Sequence, residues 1–485
     1  MNRPIRRLAV AFMVLFFALL ANANYIQVFQ APDYNDNTDN TRVLLDEYAR
    51  QRGPILVGQP PDQIEVARSV ETTDDLVYLR KYAKPALYGH ITGYYSYTLG
   101  PNAIESAYNS ILAGTDDGFF VRRVVDLVTN RQPKGGSVKL SIDPRAQQAA
   151  FDGLEGKTGS VVAIEPATGK ILAMVNRPGY DPNRLSSHDA GKISDAWAEL
   201  NDDQTDPLEN RATQRRYPPG STFKLVTSAA ALSSGSYTPE TNVPAPAELD
   251  LPQTTKNMTN WQDGLCDSGD EITLQRALET SCNTAYADLA LKLGDEALRE
   301  QAEKFGFGAA HLSDLRGVSS VFPEEVDKPQ TALSAIGQYD VAATPLQMAM
   351  VTAGIANGGT VMKPYVVSEL TGPDLNSLDE TEPEVLSEAV SPQVAEQLKQ
   401  MMVGVVENGT GSPVKMGVPV AGKTGTAQTT PDRPPFAWFV SFAPADNPSV
   451  AVAVVIEKAD VGRSEISGGR LAAPIAKDVM EAVIE

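Results

Sequence analysis

After residue 156, strand-like regions lie near both ends of the remaining chain and helical regions lie between them, and this order restricts the fold. Strand-like apolar runs occur early and again near the end of this region, at residues 160–165, 171–176, 437–443 and 450–457. Helical patterns dominate residues 195–356, and residues 472–484 predict a closing helix. Strands at both ends with helices between them predict an α+β fold, in which helices cover an antiparallel sheet.

An apolar segment near the N-terminus follows three basic residues. Arg3, Arg6 and Arg7 precede an unbroken apolar run over residues 8–21, and a looser stretch continues to residue 29. Residues 8–29 are enough to span a bilayer, whereas the shorter run also fits a cleavable signal ending at residues 21–23. We predict an uncleaved anchor in the plasma membrane, with the basic side in the cytoplasm and the rest of the chain outside it.

The remaining sequence divides further. The 485 residues favour about three units, since one core of that size is rare. Residues 31–134 are polar, charged and rich in Tyr, and they predict a spacer or interaction domain. We therefore expect a cytoplasmic tail, a transmembrane segment, an extended N-terminal domain without catalytic motifs and a C-terminal domain, with bounds 1–7, 8–29, 30–136 and 137–485.

Charge and composition exclude several functions. The net charge of −20 would repel a phosphate backbone, so we expect no nucleic-acid partner. The three histidines and two cysteines are far apart in the sequence except for one pair, which leaves too few ligands for a Cys/His zinc site. We expect neither a metal nor another cofactor. None of the histidines stands in a recognisable catalytic motif, so a hydrolase or transferase here would need another base.

One segment offers that base. Two prolines and Gly220 precede Ser221 and Lys224, and the apolar residues that follow predict a buried helix. Residues three apart on a helix are neighbours, so the amine would lie beside the hydroxyl. A buried lysine resists protonation, and its neutral amine can accept the serine proton. A capping serine beside a solvated lysine is the alternative for an isolated S-x-x-K pattern.

Two further short motifs follow this one. Ser281 and Asn283 form an S-x-N pattern between two helical segments, where a hydroxyl and an amide can relay a proton and hold a peptide carbonyl. Residues 423–426 read Lys-Thr-Gly-Thr, a set that suits a substrate carboxylate. A second S-x-x-K pattern at residues 412–415 is followed by Gly and Pro, which leave no room for a helix that would hold the pair. A second K-T-G pattern at residues 157–160 precedes Ser221 in the sequence, unlike the one at residues 423–426.

The order S-x-x-K, S-x-N, K-T-G resembles the penicillin-binding proteins and serine β-lactamases. Other short sequence motifs resemble those of class B penicillin-binding proteins. The resemblance is strongest to the actinobacterial penicillin-binding protein A type. These motifs are Arg52-Gly53-Pro54-Ile55, Gly337-Gln338, Thr344-Pro345-Leu346-Gln347, Ala421–Ala427 and Trp438-Phe439. The resemblance covers most of residues 52–485 and implies a serine β-lactamase/transpeptidase-like domain.

The resemblance implies a peptidoglycan D,D-transpeptidase that acts in cell wall synthesis, cell division and cell shape. The enzyme would form an acyl-enzyme with the D-Ala-D-Ala end of stem peptides and would be acylated by β-lactams. Ser221 would be the nucleophile, Lys224 its base and Ser281 the proton relay to the leaving amine. The backbone N–H groups of Ser221 and Thr426 would form the oxyanion hole.

The same resemblance assigns the substrate-binding residues. Asn283 would hold the substrate, Lys423 would contribute positive potential, and Thr424 and Thr426 would bind the terminal carboxylate beside Gly425. By the same resemblance, the N-terminal domain would dock to proteins of the cell-division or elongation machinery.

The two cysteines lie sixteen positions apart in a chain that we expect to be exported. Cys282 is inside the S-x-N pattern, and Cys266 precedes it. We predict a disulfide that fixes this loop, with two free thiols as the alternative.

Other activities are alternatives to the transpeptidase prediction. A serine β-lactamase needs a second group that activates the deacylating water, but the nearest match to the class A pattern E-x-x-L-N, at residues 372–376, has Gly in place of Glu. A D,D-carboxypeptidase is a further alternative with the same serine chemistry. Residues 417–424 match the phosphate-binding pattern G-x-x-x-x-G-K-[ST], yet Pro419 removes a donor and Gly425 opposes the helix that this site requires. About 100 residues before residue 134 are too few for a glycosyltransferase domain, so we expect a monofunctional enzyme.

Overall fold

The computed structural model describes residues 3–30, 45, 47–119, 129, 134–260, 264–374, 376–430 and 433–485. Residues Arg3–Tyr25 form an α-helix that continues through Gln30, and none of its side chains is buried. By length and composition this helix could cross a membrane. The predicted segment 8–29 falls within it. Residues 1–2 and 31–44, parts of the predicted tail and N-terminal domain, lie outside the described residues.

A six-stranded sheet organises the N-terminal domain. Its strand order is Ser377–Glu380, Val367–Thr371, Ser137–Leu140, Ile55–Val57, Ile64–Glu71, Tyr78–Tyr82. The strands Ile55–Val57 and Ser137–Leu140 run parallel, and the other neighbours are antiparallel. The sheet therefore includes strands from beyond the predicted boundary at residue 136. The strand Ser377–Glu380 is exposed at the edge of this sheet.

A buried ionic cluster joins this sheet to the short helices beside it. The Glu105 carboxylate accepts hydrogen bonds from Arg52 Nε and Arg80 Nε, each at 2.6 Å. A Cβ on Gly53 would lie 1.7 Å from the carbonyl oxygen of Gly136, so only glycine fits there. The helices beside the sheet are Pro85–Thr92, Ile104–Ala107 and Asn109–Ala113.

A five-stranded antiparallel sheet, called the central sheet below, forms the second layer of the molecule. Its order is Ala421–Ala427, Phe436–Ala443, Val450–Ala459, Lys157–Ile164, Ile171–Arg177. These strands include all four predicted strand-like runs, and the closing helix is Ala473–Ile484. The antiparallel sheet with helices over it confirms the predicted fold class.

Helices cover both faces of the central sheet. Pro144–Gly153 and Ala473–Ile484 pack on one face, and Pro345–Ala356 and Pro392–Asn408 pack on the other. Both faces are therefore covered, and four of the five strands contain continuous apolar runs, the exception being Ala421–Ala427.

Helix Lys224–Ser233 lies among the other helices, and its residues 224–232 are all buried. The remaining helices are Ala190–Asp202, Arg211–Gln214, Leu274–Glu279, Asn283–Leu293, Asp295–Lys304 and Lys328–Ser334. The remaining strands pair as Tyr95–Ser96 with Gly100–Pro101, Asn242–Pro244 with Glu271–Thr273, Glu248–Asp250 with Asn257–Thr259, and Thr360–Met362 with Val385–Glu388.

Candidate active site

The candidate nucleophile lies in a tight turn. Residues Gly220–Phe223 form one turn of 3₁₀-helix, and the α-helix begins at Lys224. The sequence predicted Ser221 and Lys224 on the first turn of an α-helix, so the observed 3₁₀ turn is tighter than expected. Gly220 has φ +55°, and a Cβ there would lie 3.0 Å from the backbone nitrogen of Ala427. This glycine allows the turn to pack closely against the strand that carries the K-T-G residues.

A second glycine supports the turn from the opposite side. The Gly220 N–H donates to the carbonyl oxygen of Gly337 at 3.0 Å. Gly337 has φ +69°, and a Cβ there would lie 2.3 Å from the Gly220 carbonyl oxygen. The Gly337-Gln338 pair, noted in the sequence only as a family element, therefore fixes the turn that carries Ser221.

The Lys224 amine is completely buried and is bound by the S-x-N connector. Lys224 Nζ donates to the Ser281 carbonyl oxygen at 2.7 Å and to Asn283 Oδ1 at 2.8 Å, and it lies 3.3 Å from Ser281 Oγ. Burial lowers the pKa of Lys224 well below its usual value, and the nearby Lys423 charge lowers it further. This environment favours the uncharged amine.

Ser281 occupies a strained position between two helices. Helix Leu274–Glu279 ends just before it and helix Asn283–Leu293 begins just after it, with Ser281 at φ +58°. A left-handed conformation is costly for a non-glycine residue and is found mainly where surrounding contacts impose it. Here the carbonyl oxygen of Ser281 faces Lys224 while its hydroxyl accepts from Lys423 Nζ at 2.9 Å.

Lys423 is the second buried amine of the site. Its Nζ donates to Ser281 Oγ and to the Thr424 carbonyl oxygen, both at 2.9 Å. Burial lowers the pKa of Lys423 to about 7. The two lysines therefore share one serine hydroxyl, and among the described residues neither pairs with a carboxylate.

The K-T-G strand is fitted against the nucleophile turn. A Cβ on Gly425 would lie 2.9 Å from Thr222 Cγ2 and 3.1 Å from the carbonyl oxygen of Pro219. On the neighbouring strand, Trp438 Nε1 donates to the Pro218 carbonyl oxygen at 3.0 Å. These contacts bring the strand Ala421–Ala427 to the side of Ser221.

The residues predicted from the three motifs converge on one open cavity of about 850 Å³. Ser221, Ser281, Asn283, Thr424, Gly425 and Thr426 line it. Lys224 and Lys423 lie buried beneath this lining, on Ser281. The geometry thus unites all eight candidates, while their individual roles remain predictions.

A disulfide and an asparagine hold the S-x-N connector. Cys266 and Cys282 are joined in the structure, with their Cα atoms 5.6 Å apart. The buried Asn260 accepts the backbone N–H groups of Asn283 and Thr284 through Oδ1, each at 3.0 Å. Asn260 therefore caps a helix more than twenty positions along the chain. The sequence analysis missed this residue, because a cap from a distant segment leaves no local pattern.

The local structure at the competing patterns explains why they fail. Lys423 and Thr424 lie within a strand rather than before a helix, so the phosphate-binding alternative at residues 417–424 is wrong. The Gly372 N–H donates to the Asn376 carbonyl oxygen in a turn of the N-terminal sheet, away from the described cavity lining. Within the described parts of the chain, no group of three or more His, Cys, Asp or Glu residues could hold a metal ion.

Comparison with known families assigns the chain. Residues 159–481 match the penicillin-binding protein transpeptidase domain. The chain belongs to the penicillin-binding protein transpeptidase family. Residues 52–138 of this transpeptidase also match the penicillin-binding protein A dimerisation domain, which confirms the predicted resemblance to the A type.

Curated relatives match this chain over its full length, and solved structures match most of it. The peptidoglycan D,D-transpeptidase PbpA of Mycolicibacterium smegmatis is 44% identical, covering 100% of this chain and 99% of that protein. PbpA of Mycobacterium tuberculosis is 42% identical with the same coverage. The ceftriaxone acyl-enzyme complex of M. tuberculosis penicillin-binding protein A has a TM-score of 0.86 and 41% identity, covering 91% of this chain and 100% of that one.

Proposed function

We propose that this chain cross-links peptidoglycan as a D,D-transpeptidase, through an acyl-enzyme on Ser221 at the D-Ala-D-Ala end of a stem peptide. β-Lactams inhibit it by acylating the same serine. The enclosure of Lys224 carries the proposal, since it gives the site a base without histidine. Similarity to the PbpA transpeptidases and to a penicillin-binding protein A captured as a ceftriaxone acyl-enzyme supports the same reaction class.

The hydrogen bonds of Lys224 define where its lone pair points. A neutral amine has two N–H groups and one lone pair. Its two shortest contacts, to the Ser281 carbonyl oxygen and to Asn283 Oδ1, are with pure acceptors and use both N–H groups. Asn283 Nδ2 donates to the Thr259 carbonyl oxygen at 3.2 Å, which sets the orientation of that amide. The lone pair is left for the proton of a hydroxyl in the cavity.

Acylation then proceeds with balanced protons. Lys224 takes the Ser221 proton as Oγ attacks the carbonyl carbon of the penultimate D-Ala, and the backbone N–H groups of Ser221 and Thr426 stabilise the oxyanion. When the C–N bond breaks, the proton passes from Lys224 through the Ser281 hydroxyl to the departing D-Ala amine. The Lys224 Nζ–Ser281 Oγ contact of 3.3 Å and the Lys423 Nζ–Ser281 Oγ contact of 2.9 Å support this relay. An acceptor amine next attacks the ester carbonyl carbon, the bond from that carbon to Ser221 Oγ breaks, and the proton of the amine passes through Lys224 to Oγ.

The donor carboxylate is bound on the K-T-G strand. Thr424 and Thr426 supply hydroxyl donors at the cavity wall, and Lys423 supplies positive potential from below. Gly425 leaves room for the substrate backbone beside the strand.

The N-terminal helix anchors the enzyme in the plasma membrane. Arg3, Arg6 and Arg7 at its start place that end in the cytoplasm, so both sheets lie on the outer side. The domain that includes residues 52–138 contacts division or elongation proteins. Protease added to intact cells should remove the sheet domains, and full protection of the chain would contradict this topology.

A labelling experiment tests the proposed nucleophile. The full chain in detergent is incubated with a fluorescent penicillin, and the labelled peptide is mapped by mass spectrometry. We expect a single adduct on Ser221 that persists over minutes, and none in Ser221→Ala. Ser412→Ala, which alters the second S-x-x-K serine, is the matched control and should be labelled normally. A covalent adduct in Ser221→Ala, or rapid turnover of the penicillin, would contradict the proposal.

A further inference from the structure

Thr410 contributes a hydroxyl to the cavity that none of the three motifs contains. It follows the helix Pro392–Asn408 and lines the cavity together with Thr424. The two Oγ1 atoms are 2.6 Å apart, a short hydrogen bond between side chains fourteen positions apart.

The backbone around Thr410 is held from two directions. Its N–H donates to the carbonyl oxygen of Glu279, two residues before Ser281, at 3.2 Å. A Cβ on Gly409 would lie 2.3 Å from that same oxygen, and a Cβ on Gly469 would lie 3.0 Å from the Thr410 carbonyl oxygen. Glycines on both sides thus allow this segment to pack against the helix before the S-x-N connector, which fixes the position of the hydroxyl.

Counting protons determines the direction of this hydrogen bond when a donor peptide is bound. Each threonine hydroxyl has one proton, and the contact between them uses one of the two. A carboxylate only accepts hydrogen bonds, so Thr424 has to donate its proton to bind one. Thr410 then donates to Thr424, and a hydroxyl that accepts a hydrogen bond is itself a better donor.

We infer that Thr410 is a positioning residue for recognition of the donor carboxylate. Its hydroxyl turns the Thr424 proton toward the carboxylate and does not itself contact the substrate. This inference rests on the proposed function, in which Thr424 binds the terminal carboxylate of a stem peptide or of a β-lactam.

The test compares one ligand with and without the carboxylate charge. Second-order acylation rate constants of the full chain in detergent are measured with benzylpenicillin and with its methyl ester, by mass spectrometry of the intact protein. The readout is the ratio of the acid constant to the ester constant, which a general loss of structure would not move. We expect Thr410→Val to lower this ratio about fivefold, the size of one neutral hydrogen bond, and Thr410→Ser to restore it.

Two further variants make the test specific. Thr429→Val is the matched control, because the Thr429 hydroxyl donates to the Pro434 carbonyl oxygen after the same strand, and it should keep the wild-type ratio. Thr424→Val should lower the ratio, and adding Thr410→Val to it should lower the ratio no further. A wild-type ratio in Thr410→Val, or losses that add in the double variant, would overturn the inference. A ratio near one in the wild type would instead overturn the proposed role of Thr424, and with it this inference.

Discussion

The chain contains the S-x-x-K pattern twice, and the surroundings of the two lysines differ. Lys224 is fully buried and contacts a carbonyl, an amide oxygen and a hydroxyl. Lys415 is exposed and pairs with the Glu407 carboxylate at 2.9 Å, and Ser412 starts a short turn on the surface. A carboxylate partner and water both favour the charged amine, whereas burial without a carboxylate favours the neutral one. The comparison teaches that enclosure, rather than the motif, makes a lysine a base.

Removing each amine gives the largest expected difference between the two copies. We expect Lys224→Met to lower the acylation rate constant by about 10²- to 10⁴-fold, the usual contribution of a general base. Lys415→Met removes a surface ion pair and should change the constant less than about twofold. Stopped-flow acylation with a fluorescent penicillin measures both. Comparable losses of the acylation rate constant in Lys224→Met and Lys415→Met would contradict the claim that only the enclosed amine acts as a base.

Opening the wall around Lys224 should make it more like Lys415. The disulfide closes a loop with a separation of 16 residues. We expect replacement of both cysteines by Ser to lower the free energy of unfolding by about 3 kcal/mol. Water then enters beside the S-x-N connector, so the pH midpoint at which acylation begins should move upward. Urea unfolding and a pH–rate profile check the two effects, and an unmoved midpoint would show that the disulfide does not help to enclose the amine.

Crowding the K-T-G strand tests the opposite wall of the site. Gly425→Ala forces the strand away from the nucleophile turn, since its Cβ would lie 2.9 Å from Thr222 Cγ2. A displacement approaching 1 Å should lower acylation by about 10- to 100-fold. Gly417→Ala, near the second S-x-x-K copy, is the matched control because its Cβ would meet nothing within 4 Å. Equal rate constants in the two variants would contradict the close fit.

The pH dependence of stability tests Lys423, the second buried amine of the site. Burial lowers the pKa of Lys423 to about 7, below its value of about 10.4 in the unfolded chain. Between these values the unfolded chain binds more protons at this residue, so its contribution to stability rises with pH by at most about 1.4 kcal/mol per unit. Below pH 7 the contribution is constant. We expect Lys423→Met to lose this slope in urea unfolding from pH 7 to 10, and parallel curves for variant and wild type would contradict it.

The sequence predicts the parts of the fold and site that depend on local patterns. Apolar strand-like runs predicted the central sheet, and the order of three short motifs predicted the eight residues that converge on the cavity. Helix Lys224–Ser233 is buried as its apolar residues predicted. The only local error at the nucleophile is the 3₁₀ turn, which Gly220 and Gly337 impose through their mutual contact.

Features that depend on distant contacts were not predictable in this way. Asn260 caps a helix from another segment, and the Thr410 hydroxyl is hydrogen-bonded to the Thr424 hydroxyl at the cavity wall. The strand Val367–Thr371 returns to the N-terminal sheet by pairing with Ser137–Leu140, and Ser377–Glu380 pairs in turn with Val367–Thr371. No periodicity in the sequence of either strand indicates this pairing. Tertiary pairing decides each of these features, and a single sequence carries no direct signal for it.

The central claim is that the Lys224 amine is uncharged when the enzyme works. It is tested most directly by ¹³C NMR of the full chain in detergent, labelled at lysine Cε, with Lys224→Met used to assign the Lys224 signal. We predict that the Lys224 signal titrates with a midpoint well below the ordinary lysine pKa of about 10.4. A midpoint at or above that value would contradict the account.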